Sequence, residues 1–151
     1  MINSLILSNV EYNSFFHINC RGLSHNWDNF LTLLTELHRD DFMFHYIGFS
    51  EAFRCVIDSR LSLPGYHPLL SRCRLNERGG GVGIFVRNEI QFKIREDLSI
   101  FLPHVFESIF LETESKTKNT IIGVIYRPNT LPRADLNLFY STIFGHYQQR
   151  K

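Results

Sequence analysis

Two apolar stretches, FFHINC at residues 15–20 and FMFHYIGF at residues 42–49, decide the fold, because a helical pattern lies between them. Each stretch is short and rich in aromatic residues, which is typical of a buried strand. Over residues 27–37 the apolar side chains recur at the spacing of one helical face. Since a strand–helix–strand crossover makes its two strands parallel, the sequence predicts an α/β fold with these strands in one sheet.

The second half of the chain predicts mostly strands, spaced like an antiparallel meander, and then a closing helix. Turn signals separate the apolar runs, among them Pro64-Gly65 and the three glycines 79–81. The predicted strands cover residues 66–73, 82–86, 106–112 and 120–126, and the predicted helix covers residues 135–147.

Length and composition fit one globular domain. The chain has 151 residues, of which 44% are hydrophobic and 21% charged, so it is not a disordered or fibrous sequence. We expect a leader at 1–14, the domain at 15–147 and a tail at 148–151. A net charge of +1 does not mark the whole chain as a nucleic-acid binder, so such a role would depend on a local patch. We predict no membrane span, and we interpret the three cysteines as reduced thiols of an intracellular protein.

Asn19 and Glu51 each follow a predicted parallel strand. Ligands collect at the carboxyl ends of such strands, so a carboxamide and a carboxylate would meet at one edge of the sheet. Mg²⁺ prefers oxygen ligands and commonly keeps several waters, so this pair could begin a metal site. The alternative interpretation is that Asn19 caps a turn and Glu51 is a solvated loop residue.

Three further features have both a structural and a functional interpretation. The stretch RGGGVG at 78–83 fits no phosphate-binding glycine motif and precedes a strand, which favours a tight turn with close backbone packing. Arg72, Arg74 and Arg78 lie on a predicted turn, where they could contact phosphates or simply be solvated. The tetrapeptide YRPN at 126–129 ends a strand, and its Tyr and Arg could share a phosphate.

In their order and spacing these motifs resemble the endonuclease/exonuclease/phosphatase superfamily, and in particular the apurinic-type endonuclease domains encoded by non-LTR retrotransposons. The resemblance covers about residues 15–144, and the segments that carry it are HINCRGL at 17–23, IGFSE at 47–51, PGY at 64–66, RGGGVGIFV at 78–86 and GVIYRPN at 123–129. It implies a four-layer α/β sandwich, with a mixed sheet and flanking helices, that cleaves phosphodiester bonds of DNA with Mg²⁺ in the nucleus.

The resemblance also implies roles for single residues. Glu51 would bind the metal with Asn19 beside it, and Tyr126 would lie at the scissile phosphate with Asn129 close behind. Arg78, Arg127 and Asn129 would contact nucleic acid.

Two motifs of that family, G-D-x-N and S-D-H, do not occur in the chain. They carry the catalytic Asp and the His that pairs with phosphate. Asp135 precedes the letters Leu-Asn, but we interpret it as a helix N-cap. We therefore expect a truncated nuclease domain that is inactive alone. The alternative is a non-catalytic module that binds nucleic acid or self-associates through an exposed sheet.

Overall fold

The computed structural model describes residues 13–38, 43–53, 58–74, 78–114, 118–129 and 133–148. The elements are, in chain order, β1 (Phe15–Asn19), α1 (Trp27–Leu37), β2 (Tyr46–Ser50), β3 (Leu70–Arg72), β4 (Val82–Val86), β5 (Phe92–Ile94), β6 (Phe101–Leu102), β7 (Phe106–Thr113), β8 (Thr120–Tyr126) and α2 (Arg133–Gln148).

The first sheet has the strand order β1-β2-β4-β3 and is mixed. β1 and β2 are parallel, as the crossover predicts, while β4 is antiparallel to both of its neighbours. One face of this sheet packs against α1, where Trp27 and Phe30 contact a cluster that contains Phe49 and Phe85. Every residue of β2 and β4 is buried, because the second sheet covers the other face.

The second sheet is antiparallel and has β7 in a central position, paired with β5, β6 and β8. In the β7–β8 pair, Glu107 lies opposite Tyr126 and Ile109 opposite Val124. Alternation along the strands turns these four side chains toward the first sheet. Ile109 and Val124 join Ile84 in the apolar layer between the sheets.

A glycine allows the two sheets to approach each other closely. A Cβ atom on Gly48 would lie 2.7 Å from Cγ2 of Val124 in the second sheet and 2.9 Å from the ring of Phe15. On the outer face of the second sheet, Phe139 of α2 packs edge to face on Phe106, with 5.2 Å between ring centroids. The layers therefore run α1, first sheet, second sheet, α2, which confirms the predicted α/β sandwich.

Several details differ from the sequence expectations. β5 and β6 were not predicted, and β3 covers three residues where a strand over 66–73 was expected. α2 begins at Arg133, so Asp135 lies within its first turn and not at the N-cap. Cys20 is a buried free thiol, but Cys73 is disulfide-bonded, so the interpretation of three reduced thiols is wrong. The described helices include none that is long and apolar enough to cross a membrane.

Candidate active site

The carboxyl ends of β1 and β2 bring together the two residues predicted to lie near a metal. Asn19 Nδ2 donates a hydrogen bond to Glu51 Oε1 over 3.1 Å. Asn19 is opposite Ser50 in the parallel register, so Glu51 is the first residue beyond the paired strands. The prediction that the carboxamide and the carboxylate meet at one edge of the sheet is therefore confirmed.

The backbone around Glu51 continues the pairing past the strand ends. Cys20 N–H donates to the carbonyl of Ser50, and Gly22 N–H donates to the carbonyl of Glu51 over 2.7 Å. Glu51 itself has a φ of +53°, an uncommon value for a residue with a side chain. Asn26, at the start of α1, donates its side-chain amide to the carbonyl of Cys20, so the helix end is tied to the same loop.

Tyr126 ends β8 in the second sheet and belongs to the inner face, toward the first sheet. Its pKa is raised, first because it is partly buried and then because the carboxylates of Glu51 and Glu107 oppose a negative phenolate. Arg74 acts in the opposite direction. Tyr126 therefore lies close enough to Glu51 to be affected by its charge, and the Tyr126 hydroxyl is protonated at neutral pH.

A buried ion pair that was not predicted from the sequence lies at this end of the sandwich. Arg74 Nε lies 2.5 Å from Glu107 Oε1, and the two side chains are 8% and 0% exposed. Arg74 follows β3 of the first sheet and Glu107 belongs to β7 of the second, so the pair joins the two sheets. The available signal was a glutamate in the stretch FESIFL at 106–111, at a position that shares its face of the strand with Ile109 and Leu111.

Of the three glycines 79–81, Gly80 and Gly81 contact that ion pair. All have positive φ values, between +69° and +97°, which strain any other residue. Gly81 N–H donates to Glu107 Oε2, and a Cβ atom on Gly80 would lie 2.7 Å from both carboxylate oxygens. The interpretation of a tight turn with close backbone packing is therefore confirmed.

His104 lies in the turn before β7 and contacts the same arginine. Its Nδ1 is 3.2 Å from Arg74 Nη1, and its backbone has a φ of +67°. A guanidinium can only donate, so Nδ1 accepts and a neutral ring carries its proton on Nε2.

The remaining predicted nucleic-acid contacts are at the surface. Arg78, Arg127 and Asn129 are exposed, and Arg127 stacks over Phe139 of α2 with 6.0 Å from its Cζ to the ring centroid. Arg72 was expected on a basic turn, but it forms an ion pair with Glu96. Arg74 pairs with Glu107 in the same way, so neither Arg72 nor Arg74 is simply solvated, and Arg78 is the exposed member of the three.

The donor set fits part of a Mg²⁺ site. Glu51 offers a carboxylate, a hard oxygen ligand of the kind that Mg²⁺ takes alongside retained waters. Asn19 would offer its carboxamide oxygen, which in this structure accepts from the backbone N–H of Arg21 over 3.4 Å while the amide nitrogen faces Glu51. Within the described ranges, no group of three or more His, Cys, Asp or Glu side chains could surround a metal ion. A Mg²⁺ ion held at Glu51 would keep most of its coordination positions filled by water.

Comparison of the chain with protein-family models gives no match, and comparison with curated proteins gives none either. The family resemblance therefore remains a hypothesis that depends on the motifs, on their order and on the placement of their residues.

Proposed function

We propose that this chain carries the metal-binding side and the phosphate-facing tyrosine of a Mg²⁺-dependent phosphodiesterase of the DNA endonuclease type. The observation that supports the proposal best is that Asn19, Glu51 and Tyr126 lie at one end of the sandwich. They are far apart in the sequence and come from two sheets, yet Asn19 contacts Glu51 directly and the charge of Glu51 raises the pKa of Tyr126. A nuclear location would follow from this function.

The side chains have separate tasks in this proposal. Glu51 and Asn19 would hold a Mg²⁺ ion, which neutralises negative charge that develops on a phosphodiester during cleavage. The Asn19 amide keeps the Glu51 carboxylate in a fixed orientation through its hydrogen bond. A phenol is already protonated at neutral pH and the raised pKa of Tyr126 strengthens this, so its hydroxyl can donate a hydrogen bond to a phosphate oxygen. Arg78, Arg127 and Asn129 are exposed and would contact the nucleic-acid backbone.

We propose that the chain alone is inactive or very weakly active, since it contains neither G-D-x-N nor S-D-H. Those motifs would supply the groups that position the water and take its proton. Loss of general acid–base catalysis alone lowers rates by about 10²–10⁴-fold.

A Mg²⁺ titration followed by NMR tests the metal proposal. The side-chain amide signals of Asn19 should shift with Mg²⁺ in the wild-type protein and should not shift in Glu51→Gln, which lacks the charge. Glu89→Gln is the matched control, because Glu89 is an exposed glutamate paired with Arg87, which follows β4 at the end of the sheet opposite to Glu51. Equal shifts in the wild type and Glu51→Gln would refute the assignment.

A plasmid-nicking assay with Mg²⁺ tests the activity. We expect no more nicking by the wild-type chain than by Glu51→Ala. Robust nicking that Glu51→Ala abolishes would overturn the claim of inactivity while supporting the assignment of the site.

A second candidate function, self-association, is favoured by apolar side chains at the surface. Ile121 and Ile125 on the outer side of β8 are 41% and 37% exposed, and Leu138, Tyr140 and Phe144 of α2 are more exposed still. Exposed apolar surface of this kind favours pairing with a second copy. Size-exclusion chromatography with light scattering should then show a dimer that Ile121→Lys/Ile125→Lys converts to a monomer. A wild-type monomer at high concentration would exclude this candidate.

A further inference from the structure

The buried Arg74–Glu107 ion pair needs an explanation other than stability. Taking two charges out of water is costly, and buried pairs of this kind can often be replaced by apolar residues without loss of stability. Here both side chains are almost fully buried, and the Nε–Oε1 distance is 2.5 Å. The pair also joins the two sheets at the end where the candidate site lies.

Hydrogen bonds lead from this pair to Glu51. Glu107 accepts from Gly81 N–H through its second oxygen. The carbonyls of Gly81 and Gly80 in turn accept from the N–H groups of Ala52 and Phe53, each over 3.1 Å. These two residues directly follow Glu51, so the carboxylate of Glu107 fixes the segment from which the Glu51 side chain projects.

The same carboxylate is also linked to Tyr126. Glu107 and Tyr126 are register partners in the β7–β8 pair, with both side chains on the inner face of the second sheet. The charge of Glu107 contributes to the raised pKa of Tyr126. Glu107 therefore contacts both halves of the site. It is linked to the Glu51 half through the glycines and to the Tyr126 half through the register of β7 and β8.

We propose that Arg74 and Glu107 are positioning residues, which fix the separation of the two sheets and thereby hold Tyr126 in place relative to Glu51. In this role neither residue touches the metal or the phosphodiester. The inference depends on the proposed function only for its metal-binding consequence. Its structural consequence, a local loss of order around Ala52, can be measured whether or not the chain binds Mg²⁺.

The test replaces the pair by apolar side chains in Arg74→Met/Glu107→Leu. The matched control is Arg95→Met/Glu112→Leu, which removes an Arg–Glu pair of 2.6 Å that involves the same strand β7 and lies on its outer side. Amide hydrogen exchange is measured by NMR in both variants. We expect exchange at Ala52 and Phe53 to accelerate about tenfold, the effect of weakening a local contact by about 1.4 kcal/mol, in the first variant only.

Magnesium affinity is the second measurement. We expect the Mg²⁺ dissociation constant, followed at the Asn19 side-chain amide, to rise about 10–100-fold in Arg74→Met/Glu107→Leu, as found when groups that orient metal ligands are removed. The control variant should keep the wild-type value. If the wild type does not bind Mg²⁺, the proposed function fails, and the exchange measurement alone decides the positioning role.

Two outcomes would overturn the inference. One is unchanged exchange at Ala52 and Phe53 in a folded variant, and the other is equal acceleration of all amides, which a merely structural pair would produce. If the double variant does not fold, Glu107→Gln provides the same comparison. It keeps the shape of the side chain and one acceptor for Gly81 but removes the charge that holds Arg74, so exchange should accelerate at Ala52 and Phe53 and not elsewhere.

Discussion

Replacing Gly80 by alanine tests whether the glycine turn must be free of side chains at the buried ion pair. A Cβ atom at Gly80 would lie 2.7 Å from both oxygens of the Glu107 carboxylate and 2.8 Å from Arg74 Cζ. Both groups are held in place by burial and by each other, so they cannot move away without breaking their own contact. Gly79→Ala is the matched control, because its φ is also positive but no heavy atom lies within 4 Å of its Cβ position.

Both variants lose stability through backbone strain, and Gly80→Ala also loses stability through overpacking. Forcing alanine into the left-handed region costs about 1–2 kcal/mol at either position. Overpacking a closely packed interior costs about 1–3 kcal/mol more, and only Gly80→Ala incurs it. We therefore expect Gly80→Ala to lower the free energy of unfolding by about 2–5 kcal/mol in total. For a domain whose whole stability is about 5–15 kcal/mol, this is a large loss.

Urea unfolding followed by tryptophan fluorescence measures the difference directly, since Trp27 is the single tryptophan and lies on the buried face of α1. The midpoint of Gly80→Ala should lie well below that of Gly79→Ala, with similar slopes for both transitions. Equal midpoints would refute the reasoning, because they would mean that only the backbone conformation requires glycine at Gly80.

Three further predictions concern other parts of the fold. Gly48→Ala should lower the free energy of unfolding by about 1–3 kcal/mol, because its Cβ would lie 2.7 Å from Val124 Cγ2. Urea unfolding measures this, and unchanged stability would mean that the two sheets can move apart around the added methyl group without cost. Burial raises the pKa of the Cys20 thiol from 9.0 to about 11, so the unfolded chain loses this proton first and stability falls by about 2 kcal/mol as the pH rises from 9 to 11. The free energy of unfolding of Cys20→Ala should fall less over that pH range. An equal fall in both proteins would contradict the Cys20 thiol as its cause. Burial lowers the pKa of His38 in the folded protein. As the pH falls below about 6.5 the unfolded chain therefore binds this proton first, and the free energy of unfolding falls. His38→Leu should flatten the stability profile between pH 7 and 5, and an unchanged slope would exclude His38 as the cause.

The sequence predicted the half of the site that depends on local patterns. The apolar runs around β1 and β2 and the helical spacing between them indicate a parallel pair, and a parallel pair dictates that Asn19 and Glu51 share one edge. The strand ending at Tyr126 and the glycine turn were also predicted, because each has a local signal in residue type or spacing.

The other half could not be predicted, because its partners are set by how the sheets face each other. Arg74 next to a polar turn is typical of a solvated arginine, and nothing nearby in the sequence identifies Glu107 as its partner 33 residues later. β5 and β6 are too short to show the period-two alternation that predicts a strand. They are strands because they pair with β7, and that pairing is seen only in the structure. Long-range pairing of this kind has no short-range signature.

The origin of the site from two sheets has a consequence for the order of folding. Asn19 and Glu51 are 32 residues apart within one crossover unit, whereas Tyr126 lies 75 residues beyond Glu51 (126 − 51) and belongs to the other sheet. Closing the longer loop costs more chain entropy and has to be repaid by docking of the apolar layer between the sheets. We expect the β1–α1–β2 amides to become protected first in pulsed hydrogen exchange during refolding, with those of β7 and β8 later. A nascent chain would then hold its carboxylate and carboxamide together before the tyrosine arrives.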